Sequence, residues 1–416
     1  MQRRDFLNAL AAGAGLTIPL GRHAWAATGI PGAAPTARKL IVVMLRGAVD
    51  GLNVVAPLGD ANYARLRPGI ALAAPGQEGG ALDLDGYFAL HPALEPLMPL
   101  WREKKLAFIH ASGSPDPTRS HFDAQDYMES ATPGIKSTAD GWMNRLLSTL
   151  PGASTPTRAL SIGPTMPRIL AGQAAAINLA NGAAGVRAGA LDRPLLRDAF
   201  DRLYADNARF GRVYQDGRAA RQEVMAAAMP NEMQVADGGA PLPNGFPDDA
   251  ARLAALMRND ANVQLAFFAL GGWDTHAGQG AGSGQLANRL APLAQGLALL
   301  ARRLGPMFDD TAIVVMSEFG RTARENGNGG TDHGHGNAIW LLGGGVAGGR
   351  VLGEWPGIGD AQLHEGRDLH VTTDFRSVLA QLAERHLLLG ERQLAQVFPG
   401  LPAMPAAGAP LRLLRA

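Results

Sequence analysis

Unbroken apolar runs, rather than alternating ones, mark the strand positions along this chain. They are Leu40–Leu45, Leu106–His110, Gln264–Leu270, Ala312–Met316 and Ala338–Leu342. Strands buried on both faces read this way, because neither side of the pleat meets water. Between several of them the period becomes helical. From Leu286 to Leu304 the residues Leu286, Leu290, Leu293, Leu297, Leu299, Leu300 and Leu304 make a broad apolar stripe. Strands alternating with helices predict an α/β fold with a mostly parallel sheet, whose ligands gather at the carboxyl ends of the strands.

The middle of the chain breaks this rhythm. From Asp192 to Met229 it is rich in Ala, Arg and Leu, and a loose Gly- and Pro-containing stretch follows through Pro247. Residues 192–247 are therefore expected to form a helical insertion and loop. The tail 401–416, with its repeated Pro, Ala and Gly, is expected to be irregular. Gly343–Gly349 lacks the Lys-Ser/Thr ending of a phosphate-binding loop and reads as a connection after a strand.

The first residues change the picture of where the protein works. Arg3-Arg4-Asp5-Phe6-Leu7 precedes a weakly apolar run from Ala9 to Leu20, and Ala24-Trp25-Ala26 offers a small-x-small cleavage site. Residues 1–26 read as a twin-arginine signal, which implies the export machinery as a partner and a periplasmic or secreted mature chain. About 13 apolar residues interrupted by glycine are too few to span roughly 30 Å of hydrocarbon, and no later stretch is long enough. The chain has no cysteine, so disulfides and thiolate sites are excluded and any metal must be held by His, Asp and Glu. Its 38 basic and 37 acidic residues nearly cancel without a basic run, which argues against nucleic-acid binding.

Candidate chemistry clusters after the strand-like runs. Gly329–Gly336 sets Asp332, His333 and His335 within four residues on a glycine-rich backbone. Imidazole and carboxylate are the ligand types that Zn²⁺, Mn²⁺ and Fe take. Asp274 and His276 follow Gly271-Gly272 and, two apart, face one side if the backbone stays extended. Glu318 directly follows Val314–Ser317, with Arg321 three residues on, a pair suited to a metal and an oxyanion or to a structural ion pair. Asp50 sits after the first strand as a ligand or a turn residue, and Arg46 beside it as an anion holder. Thr118 and Ser120 are candidate nucleophiles and His121 a ligand or base, while Ser120 also suits the N-cap of a helix running to Glu129.

These segments together resemble a known family. Arg46–Asn53, Ser114–Ser130, Gly272–His276, Ser317–Arg321 and Gly330–Asn337 look like domain of unknown function 1501, a family of exported bacterial proteins in the alkaline phosphatase/sulfatase-like superfamily. The resemblance covers about residues 39–400 and implies a three-layer α/β/α sandwich carrying a two-metal hydrolase site. It implies Asp50 as the first acid, the Ser120 region as nucleophile, Asp274 and His276 as an Asp…His pair, and His333 or His335 as a late histidine. Glu318 stands where an Asp-His pair begins, but Phe319 occupies its histidine position. His121 or the spare loop histidine is then the replacement, or only one ion binds.

Two readings follow. The first is a periplasmic metal-dependent hydrolase of phosphate or sulfate esters, small or polymeric. It uses one or two divalent ions, Zn or Mn, with Asp274, His276, Asp332, His333 and His335 at the main site, Asp50, Glu318 and His121 at a second, and Arg46 or Arg321 on the anion. The second is a non-catalytic envelope protein that keeps the fold and a structural metal and binds a partner or polymer.

Overall fold

The computed structural model describes residues 38–136, 138–152, 155–182, 236–401 and 411–415. The signal segment 1–26 and most of the expected insertion, residues 192–235, lie outside these. A nine-stranded sheet forms the centre. Its strands are β1 (Lys39–Leu45), β2 (Leu106–Gly113), β3 (Ala159–Ile162), β4 (Ile177–Leu179), β5 (Leu265–Leu270), β6 (Thr311–Ser317), β7 (Asn337–Leu342), β8 (Arg350–Leu352) and β9 (Thr373–Asp374). The order is β8-β2-β7-β6-β1-β5-β3-β4, with β9 also paired to β2. β1 lies parallel between β5 and β6, and β7 runs antiparallel to both β2 and β6.

All seven residues of β1 are buried, as its unbroken apolar run requires. Ile41, Val43 and Leu45 face one side, and Leu40, Val42 and Met44 the other. The first side is covered by α3 (Phe246–Asn259) and α4 (Gln285–Leu304). The second is covered by α2 (Trp142–Thr149), α5 (Phe375–Arg385) and α6 (Glu391–Val397). Helices therefore close both faces of a mostly parallel sheet, giving a three-layer α/β/α sandwich. The leucine stripe of α4 is buried except Leu299, which is half-buried at its margin. Among the described residues, no helix is long and apolar enough to cross a membrane. Residues 411–415 are not free of pairing: Leu414 bridges Val346, and Ala347 donates to the Leu413 carbonyl.

Strand direction determines which loops meet. The carboxyl ends of β1, β2, β5 and β6 share one edge of the sheet. Because β7 is reversed, its amino end reaches that same edge, and with it the loop 330–336. Helix α1 (His121–Ser130) begins there too, after the β2 loop.

Candidate metal centre

Four side chains from three segments gather at this edge. Asp274 and His276 leave the end of β5, His121 opens α1, and His333 comes from the loop before β7. His333 Nε2 lies 3.0 Å from His121 Nε2 and 3.0 Å from His276 Nε2. Asp274 Oδ1 lies 3.0 Å from His276 Nε2 and 3.4 Å from His333 Nε2, and Oδ2 lies 3.6 Å from His121 Nε2. Four donors about 2.0–2.1 Å from a single ion stand roughly 3.3–3.4 Å apart at tetrahedral corners. The five spacings above, 3.0–3.6 Å, fall around that value. Among the described residues, His121, Asp274 and His333 form one group whose ligand atoms all lie within 4.8 Å of one another, and His276 adjoins it through Asp274 and His333.

The far nitrogen of each ring explains the near one. His121 Nδ1 lies 2.8 Å from Glu318 Oε1, His276 Nδ1 3.1 Å from Asp332 Oδ1, and His333 Nδ1 2.9 Å from the Arg119 carbonyl. All three partners are acceptors, so each Nδ1 carries the proton and donates it. In the neutral rings every Nε2 is then a bare lone pair pointing at the others. Such lone pairs repel at 3.0 Å unless a cation lies among them, and imidazoles anchored through Nδ1 are how proteins present Nε2 to metals. The donor set and its outer partners fit a divalent ion.

Electrostatics agree. Burial depresses the His121 pKa, but the Asp274 and Glu318 carboxylates outweigh it and lift the group to about 9. Burial opposes ionisation of Asp274, yet His121, His276, His333 and Arg321 hold its carboxyl well below the usual range. The Asp274 carboxylate raises His276, and Asn326, then His276, lower Asp332. Without an ion, this place gathers a proton instead.

The loop glycines serve close approach more than bending. The segment Asp332–Gly334 runs antiparallel to Gly320–Thr322, with Arg321 bridging His333. A Cβ on Gly334 would come 2.4 Å from the Arg321 carbonyl carbon, and one on Gly320 would come 1.8 Å from the Gly336 oxygen. Gly47 is different: its φ of +110° favours glycine, and a Cβ there would stand 2.7 Å from the Asp274 amide nitrogen.

Other expected residues take different places. His335 turns away, its Nε2 donating to the Ser114 carbonyl at 3.0 Å, although it is only two residues from His333. Glu318 and Asp332 stand behind ligands rather than among them. Asp50 does not join the cluster. It is fully buried and its Oδ2 accepts from Arg67 at 2.5 Å and from Gln279 at 2.6 Å. Arg321 is buried against the site's own carboxylate, donating to Asp274 Oδ1 at 2.6 Å and to the Thr331 oxygens. Ser120 is exposed and caps α1, its Oγ accepting from Asp123 N, and Thr118 Oγ1 accepts from the Ser120 amide. Arg46 pairs with Glu129 and lines a cavity of about 210 Å³ with Arg168, Ser161 and the loop 163–167.

Some residues here carried no sequence signal. Arg67, Gln279 and Gln125 look like ordinary loop and helix residues. Asp237, within the stretch read as loose, is buried and accepts from the Gly272 amide at 2.7 Å. Burial, with Glu318 and Asp274 nearby, pushes it up to about 7.

A family model described as "Protein of unknown function (DUF1501)" matches residues 93–398, which include all four converging side chains. The chain belongs to the DUF1501 family. No curated protein matches this DUF1501 chain in sequence. Among solved structures it is similar to Ps i-CgsB in complex with k-i-k-neocarrahexaose, with a TM-score of 0.36 and 11% identity over 86% of this chain and 74% of that one. It is similar to a protein in the alkaline phosphatase superfamily from Vibrio parahaemolyticus, with a TM-score of 0.33 and 11% identity over 75% of this chain and 61% of that one. The C-terminal periplasmic domain of Escherichia coli EptC, a zinc complex, gives 0.35 and 11% over 74% and 73%. The DUF1501 chain thus spans less than two thirds of the Vibrio protein's length.

Proposed function

We propose that this DUF1501 protein is a metal-dependent hydrolase of phosphate or sulfate esters, exported by the twin-arginine pathway to the periplasm or beyond. One observation carries the reading: the Nε2 atoms of His121 and His276 each lie 3.0 Å from that of His333, beside the Asp274 carboxylate, at the carboxyl-end edge of an α/β sheet. A bound Zn²⁺ or Mn²⁺ would polarise an ester oxygen and acidify a water. The chain's own residues do the rest. Glu318, Asp332 and the Arg119 carbonyl hold the three imidazoles in the ligating tautomer. Arg321 fixes the rotamer of Asp274. Arg46, which pairs with Glu129, lines the 210 Å³ cavity, and its guanidinium would bind an anionic substrate group held there. Ser120 supports the fold as the N-cap of α1, the helix that His121 opens.

A second reading, a structural metal in a non-catalytic envelope protein, is favoured by the donor count. Four protein ligands can close a tetrahedron, whereas catalytic sites keep a position for water. Against it, the His276 side chain is 43% exposed, so one side of the centre is open to solvent.

Mature protein and a His333→Ala variant, each supplied with Zn²⁺ or Mn²⁺, separate these readings. Metal content is measured beside turnover of phosphate monoesters, phosphate diesters and sulfate esters. Turnover in the wild type that disappears together with the metal in His333→Ala is the expected result. Metal bound without turnover of any ester supports the structural reading, and no metal at all contradicts both.

A further inference from the structure

We infer that the centre takes one metal ion and that the buried guanidinium of Arg67 stands where a two-ion site would need its second cation. The inference rests on the metal reading above and sharpens it. The resemblance implies a second ion shared by Asp50, a Ser or Thr, and the acid after β6. The residues present do not fit one.

Asp50 is already engaged by a cation. Arg67 is wholly buried, and its Nη1 donates to Asp50 Oδ2 at 2.5 Å and to Asn53 Oδ1 at 2.8 Å. Its Nε and Nη2 donate to the carbonyls of Ala323 at 2.9 Å and Thr322 at 2.8 Å. A guanidinium satisfied on every side and sealed from water does not leave to admit a divalent ion, and it repels one placed beside it. Glu318 is occupied as well. Its Oε1 accepts from Gly47 N, Gln125 Nε2 and His121 Nδ1 at 2.8, 3.0 and 2.8 Å, and Oε2 accepts from Ser317 Oγ at 2.9 Å. The Phe319 ring, 4.9 Å from His121 and 5.3 Å from His333, presents carbon where another imidazole would ligate. The remaining Asp50 oxygen, Oδ1, is buried without a hydrogen-bond partner. It is a single donor, too few to hold an ion alone.

The organic cation also ties the site together. Asp50 Oδ2 accepts from Gln279 Nε2, and Gln279 Oε1 accepts from the hydroxyls of Thr275 at 2.8 Å and Thr331 at 3.0 Å. Thr275 sits between Asp274 and His276, and Thr331 precedes Asp332 and His333. Arg67 thus anchors, through Asp50 and Gln279, both loops that deliver ligands. A chelator cannot remove this anchor as it would remove an ion.

The test is metal stoichiometry. Wild type, Asp50→Asn and His333→Ala are equilibrated with excess Mn²⁺, desalted, and assayed for metal per chain. One equivalent in the wild type, kept in Asp50→Asn and absent from His333→Ala, is the expected result. Two equivalents in the wild type that fall to one in Asp50→Asn overturn the inference. None in the wild type overturns instead the metal reading on which it rests. Because Asp50→Asn strands a buried arginine, the wild type is also read alone by electron paramagnetic resonance at two equivalents of Mn²⁺. An isolated-ion signal is expected, and an exchange-coupled pair contradicts the inference.

Discussion

His121 Nδ1 donates to Glu318 Oε1 at 2.8 Å, and that bond sets what the opposite nitrogen of the ring can do. With the proton held on Nδ1 by a buried carboxylate, Nε2 is left as a lone pair 3.0 Å from the Nε2 of His333. Glu318 would thus act on a bound ion through the imidazole. Replacing an outer-shell carboxylate of this kind lowers metal affinity by about 10–100-fold. Glu318→Gln, which keeps the shape and loses the charge, is expected to fall in that range while remaining folded. A competition titration against a chromophoric chelator measures it, and an unchanged affinity contradicts the role given to Glu318.

Acidity makes a second prediction. In the metal-free protein His121 is lifted from 6.5 to about 9. A raised folded-state pKa means the native protein binds the proton more tightly than the unfolded chain. The resulting stability is fully present below pH 6.5 and is lost as pH climbs through 9. Asp237, raised to about 7 by burial, gives a loss in the same direction, but between about pH 4 and 7. The window from pH 7 to 9 therefore belongs to the imidazoles of the centre, His121 and with it His276, which Asp274 raises in the same direction. The melting temperature of chelator-treated protein should fall by a few degrees across it, and that of metal-loaded protein should not, because the ion has replaced the proton. Equal slopes for the two forms would count against metal binding at His121.

The buried pair of Arg67 and Asp50 makes a third. Breaking a buried ion pair by removing one partner costs about 3–5 kcal/mol, since the other charge is stranded. Arg67→Met and Asp50→Asn are each expected to lose stability on that scale in urea unfolding. The double variant should lose less than the sum of the two. Additive losses would mean that the two residues act separately.

Close backbone approach at the loop makes a fourth. Gly334→Ala places a methyl 2.4 Å from the carbonyl carbon of Arg321, whereas Gly327→Ala, seven residues earlier, meets nothing within 4 Å. The first should separate the loop from the β6 extension and abolish metal binding. The second should leave stability within about 0.5 kcal/mol of wild type. Metal content and thermal melting of the two variants compare them directly.

The sheet was legible because burial on both faces leaves a plain mark. Leu40–Leu45 and Ala312–Met316 carry no polar interruption, and both are central strands. The leucine period of α4 predicted its span to within one residue, missing only that Leu299 lies off the buried stripe. At the centre, Asp274, His276 and His333 stood out as ligand types at strand ends. What one dimension did not encode was orientation. His333 and His335 are equivalent in the sequence, but the chain turns between them as Gly334 pairs with Gly320 and Gly336 pairs with Leu369. Only His333 meets the other ligands. Asp50 looked like a ligand because its cation, Arg67, lies 17 residues away in a segment without chemical emphasis. Partner choice among buried charges is a tertiary fact, and periodicity does not record it.

The central claim is that His121, His276 and His333 hold one divalent ion through Nε2, together with Asp274. X-ray absorption at the zinc edge of zinc-loaded mature protein tests it most directly. A first shell of nitrogen and oxygen at about 2.0–2.2 Å, with outer-shell scattering from three imidazoles, is the predicted result. A shell with no imidazole scattering, or protein that retains no zinc after desalting, would contradict it.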